Sequence, residues 1–366
     1  MEIPSLNIGG LVSELAIIQG GMGVGISMSG LASAVANQGG IGVIAGAMAG
    51  ISETDCLKNA LEANIRVLKN EIRAARAASR GILGVNIMVA LTHFSDLVRT
   101  AIDEGIDIIF SGAGLPLDLP KYLKNGARTK LVPIISSARA AKVICKKWLS
   151  RFNYLPDAFV VEGPKAGGHL GFKPDQIDDP NYCLENLVTD VLKAVEPIEI
   201  EHQRKIPIIA AGGIFNGSDI LKFLKLGASG VQMGTRFVAT HECDAGPAFK
   251  QSYVDAKQED LVVIQSPVGM PGRALRNNFI NSVVNGAKKP FRCAYHCIKS
   301  CQPEKSPYCI AMALAAAKKG FLKNGFAFAG ANAYLVEKII SVKELIESLK
   351  KEYAAAFHRS GHTELS

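Results

Sequence analysis

Two short apolar runs that each end in glycine, one helix-length apart, constrain this chain more than any other feature. Residues 206–214 read Ile-Pro-Ile-Ile-Ala-Ala-Gly-Gly-Ile, and residues 230–237 read Gly-Val-Gln-Met-Gly-Thr-Arg-Phe. A parallel strand buried on both faces shows as a continuous Val/Ile/Ala run, and residues 216–226 between the two carry helix-start chemistry and apolar spacing, so the segment is a β-α-β unit. Both strand ends then open onto one face. Gly212, Gly213 and Gly234 clear side chains from that face, as a phosphate cradle built from backbone N–H groups requires. In a (β/α)8 barrel the phosphate site commonly follows strands seven and eight, which is the place this pair suits.

The rest of the chain supplies the other six strands. Apolar runs recur at 15–19, 41–45, 82–89, 106–110, 131–136, 158–161, 206–211 and 230–238, with helical patterns between most of them. Ser52 and Asp55 read as a capping box, and Leu57, Leu61, Ile65, Leu68 and Ile72 keep helical spacing. Eight units in succession favour a closed α/β architecture, the TIM (β/α)8 barrel, over an open doubly wound sheet. Of the 366 residues, 48% are hydrophobic and 36 are glycine, a mix that suits a parallel sheet with many tight turns.

The pattern changes after residue 238. Residues 265–276 are Pro/Gly-rich, Lys288-Lys289-Pro290 is a basic break, and a cysteine cluster follows. The reading is a barrel over 1–276 and, over 277–366, an extension with the cysteine cluster and helices near 309–319 and 341–353. A frayed tail is expected from His358. The loop 172–182 follows strand six and reads as a lid or as a solvated loop.

Charge and targeting signals narrow the function. Lys and Arg number 41 against 33 Asp and Glu, a net +8 that suits phosphorylated cofactors or acyl-thioester substrates. No block of Lys/Arg with interleaved aromatics supports nucleic acid as a partner. The first residues form no signal peptide and no run reaches membrane length, so a cytoplasmic protein without membrane association is expected. A homodimer is the assembly allowed for.

Strand six runs into Glu162-Gly163-Pro164-Lys165-Ala166-Gly167-Gly168-His169, which delivers a histidine to a glycine-flanked mouth. Imidazole is the side chain best suited to moving protons near neutral pH, which makes His169 the first catalytic candidate; the alternative is a histidine bonded to its own loop. Strand one ends at Gln19-Gly20-Gly21-Met22, and strand three contains Gly84-Val85-Asn86. Asn86 can bond both edges of a heterocycle, and Met22 can pack on its face or fill core. A phosphate cradle, an amide and a histidine around one mouth describe a flavin mononucleotide site.

These motifs, with Ala210-Ala211-Gly212-Gly213 and Gln232-Met233-Gly234-Thr235, resemble the nitronate monooxygenase family, formerly the 2-nitropropane dioxygenases. The enoyl-acyl-carrier-protein reductase II group shares most of them, and the match spans 3–274. The resemblance implies non-covalent FMN, with its phosphate at the Gly212-Gly213 and Gly234-Thr235 turns. It places Gly21, Met22, Asn86, Glu162, Gly167, Gly168, Gln232 and Met233 around the cofactor and His169 beside its ring. It implies oxidative denitrification of an alkyl nitronate to a carbonyl and nitrite, with no nicotinamide consumed. The alternative is an NAD(P)H-dependent reductase of enoyl thioesters or quinones. The phrase 266–274, Ser-Pro-Val-Gly-Met-Pro-Gly-Arg-Ala, leans toward the monooxygenase branch. A non-enzymatic reading is a flavin-binding barrel whose cysteine region docks a partner or senses a metal.

Two departures from the family pattern stand out. Lys165 adds a cation that either stabilises an anionic reduced flavin or nitronate, and so joins the catalytic set, or faces solvent. Cys293-x3-Cys297-x3-Cys301-x7-Cys309 gathers four of the eight cysteines in a short span. Four thiolates suit an iron–sulfur cluster or a structural zinc; reduced thiols along one stripe of a helix are the remaining reading.

Overall fold

The computed structural model describes residues 2–289 and 291–361. Pro290 of the basic break and the last five residues of the tail lie outside them. The chain opens with an antiparallel hairpin, β1 (Leu6–Ile8) and β2 (Leu11–Ser13). It continues through β3 (Ile17–Gln19), α1 (Ser29–Asn37), β4 (Gly42–Ala45), α2 (Ala60–Ala78), β5 (Leu83–Asn86), α3 (Phe94–Asp103), β6 (Ile108–Ser111) and β7 (Lys130–Ile135). Then come α4 (Ala138–Phe152), β8 (Phe159–Glu162), β9 (Gly168–His169), α5 (Leu184–His202), β10 (Ile208–Ala211), α6 (Gly217–Lys225), β11 (Gly230–Met233) and α7 (Thr235–Val238). The last part holds α8 (Pro247–Val254), β12 (Leu261–Gln265), β13 (Pro271–Leu275), α9 (Asn278–Val284), α10 (Ile310–Lys318) and α11 (Val342–Arg359).

All eight strands read from the sequence are present and parallel, in the order β3-β11-β10-β8-β7-β6-β5-β4. A bridge between Ile18 and Ile41 joins the two ends, with Gln19 N–H donating to Ile41 O and Ile41 N–H to Ile17 O. The sheet is therefore a (β/α)8 barrel. Strands such as β4, β6 and β10 are buried at every residue, as strands covered on both faces must be. Only a short 3₁₀ turn, Leu119–Tyr122, stands where a helix would link β6 to β7.

Local chemistry sets the helix ends. Asn216 and Asp219 form a capping box at α6, as the helix-start signal implies. The cap expected at Ser52 is not used. Asn59 caps α2, its side chain accepting from Glu62 N–H, because the carboxylates of Glu53 and Asp55 are taken by Arg66. Leu57 lies outside the helix and is exposed.

The segment after β11, Pro/Gly-rich over 265–276, holds regular structure. β12 and β13 form a hairpin, which β9 joins through the pairs Gly272–His169 and Arg273–Gly168. α10 follows near its expected position. α11 packs against α6 and α1 and so completes the outer helical shell, joining the same core as the barrel through Leu345, Leu349 and Tyr353. It remains helical to Arg359, past the expected fraying point. The hairpin β1–β2, absent from the sequence reading, lies at the opposite end from the strand C-termini, with Gly9 against Lys130 and Asp157.

Candidate active site

The C-terminal ends of β3, β5, β8, β10 and β11 converge on a cavity of about 710 Å³. It is lined by every residue expected to bind cofactor: Gly21, Met22, Asn86, Glu162, Gly167, Gly168, Gly212, Gly213, Gln232, Met233, Gly234 and Thr235. His169 and Lys165 line it too. Backbone shape explains the glycines after β10, where Gly212 and Gly213 hold φ of +93° and +88°. A Cβ on Gly212 would stand 2.8 Å from Gly163 O, so only glycine keeps this turn close to strand six.

Two features test whether FMN fits. The turns after β10 and β11 give a floor free of side chains where a phosphate would lie. At the end of β11, the Oε1 of Gln232 is buried without a hydrogen-bond partner among the described residues. A buried acceptor left in that state is costly, and a ring N–H or ribityl hydroxyl would satisfy it. The residues present fit the cofactor.

Titratable groups in the cavity are shaped by burial. Glu162, at the end of β8, is pushed up to about 7 by desolvation. His169 is pushed down to about 4 by the same cause, so its imidazole is neutral near pH 7. It does not simply follow strand six: β9 places it in the sheet with β13, where its Nε2 shares a 2.8 Å hydrogen bond with Ser266 Oγ. The Phe328 ring packs edge-on to the imidazole, its centroid 5.0 Å away. Ser266 and Phe328 were not singled out as site residues in the sequence; Ser266 does open the phrase 266–274, but nothing local links either to His169. Lys165 is exposed, and its Cβ and Cδ lie along Gly213, beside the turn expected to take the phosphate.

The loop 172–182 is an ordered wall. Phe172, Gln176 and Tyr182 line the cavity, and Gln176 Nε2 donates to the Tyr182 hydroxyl at 2.8 Å. The region after β11 adds Cys297, Ile298, Ile310, Leu314 and Phe328 to the lining.

The cysteine cluster forms no helical stripe. The stretch between α9 and α10 is irregular, with His296 at φ 43° and a bridge from Ile298 to Leu91. All four cysteines are nonetheless gathered around a second pocket of about 310 Å³. Burial and then the neighbouring thiols of Cys309, Cys293 and Cys301 push Cys297 up to about 12. Among the described residues no three His, Cys, Asp or Glu side chains stand close enough for one metal ion, so the geometry does not carry the zinc reading.

A closed α/β barrel with a glycine-lined, phosphate-ready mouth and a half-buried neutral histidine is the build of a cofactor-dependent barrel enzyme. Residues 7–352 match the model of the family described as nitronate monooxygenase. The chain belongs to that family, and it is an FMN-dependent oxidoreductase. Among curated relatives it is 30% identical over 275 residues to a Mycobacterium tuberculosis protein, covering 75% of this chain and 67% of that one. That protein is named (3aS,4S,5R,7aS)-5-hydroxy-7a-methyl-1-oxo-octahydro-1H-indene-4-carboxyl-CoA dehydrogenase. It is 27% identical over 307 residues to a Staphylococcus aureus protein named "Probable nitronate monooxygenase", covering 74% of this chain and 78% of that one. Among solved structures, FabK from Thermotoga maritima superposes with a TM-score of 0.73 at 29% identity, covering 95% of each chain.

Proposed function

We propose that the chain oxidises an alkyl nitronate to the carbonyl compound with release of nitrite, oxygen serving as co-substrate. The observation that carries this reading is His169, a neutral imidazole held by Ser266 on the wall of a glycine-floored cavity. An uncharged ring donates a hydrogen bond to a nitronate oxygen at no cost in buried charge, and the arriving anion draws its pKa upward, which strengthens the contact. FMN, when bound, supplies the electron acceptor. Gln232 and Asn86 orient it, the Gly212-Gly213 turn receives its phosphate, and Lys165 beside that turn offsets the phosphate charge. The loop with Phe172 and Tyr182 excludes water. Free thiols at all eight cysteines support a cytoplasmic setting.

A second reading, an NAD(P)H-dependent reductase acting on an acyl thioester, is favoured by one feature. The cavity wall from Leu91, Leu115, Ile298 and Leu314 offers apolar surface beyond the needs of a small nitronate. An iron–sulfur centre in the adjoining thiol pocket would also suit reductive chemistry.

The test is to supply the purified FMN-loaded chain with an alkyl nitronate in air and measure nitrite, then to add NAD(P)H without oxygen and follow flavin absorbance. Nitrite release with a flavin indifferent to NAD(P)H is the expected result. Bleaching by the nucleotide without nitrite release overturns the monooxygenase in favour of the reductase.

A further inference from the structure

Four thiols surround one pocket, and the proposed reaction uses none of them. Cys293, Cys297, Cys301 and Cys309 line it together with apolar groups that include Val268 and Phe291. They arrive from an irregular segment, so helical packing does not account for their spacing. Between α9 and α10 the described chain has no helix and no strand beyond the single bridge of Ile298 to Leu91. A stretch of that length without regular structure inside a folded protein is uncommon and is usually functional.

A backbone donor faces one of the sulfurs: His296 N–H donates to Cys293 Sγ at 3.4 Å. Amide hydrogen bonds of this kind stabilise a thiolate and tune a cluster bound through it. A single zinc ion would draw four sulfurs to roughly 4 Å of one another in a tetrahedron, a convergence the described residues do not show. A cluster takes one cysteine per iron, so its four ligands need only share a pocket, as Cys293, Cys297, Cys301 and Cys309 do.

We propose that this pocket holds an iron–sulfur cluster bound by the thiolates of Cys293, Cys297, Cys301 and Cys309. Each thiol releases its proton to solvent as its sulfur bonds to iron; the iron enters as the ferrous and ferric ions the resting cluster holds and the sulfur as sulfide, so no oxidation state changes at the protein. Cys297, Ile298 and Ile310 line both this pocket and the larger cavity. The cluster thus stands one residue layer from the cofactor site. That neighbourhood rests on the flavin reading, whereas the cluster site itself does not.

The test is to purify the full chain without oxygen and measure iron, acid-labile sulfide, zinc and FMN per chain, with an electron paramagnetic resonance spectrum after dithionite reduction. The expected result is iron and sulfide in equal amounts and a reduced-cluster signal. Cys293→Ser and Cys301→Ser lose both iron and sulfide while keeping FMN, and Cys183→Ser keeps all three. Should the serine variants fail to fold, the metal and sulfide content of the unaltered chain decides. Zinc without sulfide, a disulfide among these cysteines, or neither iron nor sulfide after incubation with ferrous and ferric iron and sulfide overturns the proposal. A cluster without FMN would instead remove the flavin reading and leave this one standing.

Discussion

The Nε2 of His169 and the Oγ of Ser266 lie 2.8 Å apart although 97 residues separate them. The contact ties the loop after strand six to the hairpin of β12 and β13, and it fixes the imidazole plane that faces the cavity. Removing the imidazole with His169→Ala lowers turnover by roughly 10²-fold or more while flavin content holds. Ser266→Ala leaves a ring nitrogen without its partner and lowers turnover by about 10-fold. The ring's folded pKa of about 4 lies below the ordinary 6.5, so its contribution to stability is complete above 6.5 and declines as pH falls toward 4, where only the unfolded chain takes up a proton. Steady-state kinetics, and acid unfolding of the unaltered chain against His169→Ala, check this. Equal acid sensitivity in the two would refute it.

Glu162 titrates the other way. Burial lifts its carboxyl from 4.5 to about 7, so the folded chain holds a proton that the unfolded chain has lost, and stability declines as pH rises from 4.5 through 7. Once ionised, Glu162 places a negative charge in the cavity that receives an anionic cofactor. FMN affinity measured by flavin fluorescence should fall as pH rises past 7 and should lose that part of its slope in Glu162→Gln. An identical pH profile in the variant removes the carboxylate from the account.

The unpartnered Oε1 of Gln232 predicts effects of opposite sign with and without ligand. Gln232→Met keeps the length of the side chain and removes a buried acceptor that lacks a donor. The ligand-free protein gains about 1 kcal/mol, seen as a rise of roughly 1 °C in Tm for a chain of this length. FMN binding weakens several-fold in the same variant. If both measurements move in one direction, the amide does not serve the cofactor.

Much of the scaffold was legible because buried parallel strands write themselves as unbroken apolar runs. Phe159-Val160-Val161 and Ile208-Ile209-Ala210-Ala211 need no partner to be recognised. The glycines of the mouth were legible for a related reason, since Gly212 and Gly213 occupy backbone conformations other residues avoid. Long-range contacts were not. The strand Pro271–Leu275 hides behind a proline and a glycine that read as loop, and only its pairing with Leu261–Gln265 and His169 makes it a strand. The cap of α2 was misplaced because Asp55, a fair capping partner by spacing, is engaged by Arg66 from the next helical turns. The four cysteines keep helical spacing, yet the left-handed turn at His296 and the prolines at 303 and 307 take the chain out of any helix.

The outer shell lacks its last member until α11 has docked between α6 and α1. Because the hairpin, the cysteine segment and α10 all lie between β11 and that helix, a ribosome exposes the eight strands well before it releases the residues that cover them. The nascent barrel must wait with one flank bare, and substitutions at Leu345, Leu349 or Tyr353, far from the mouth, will be felt first as aggregation during synthesis.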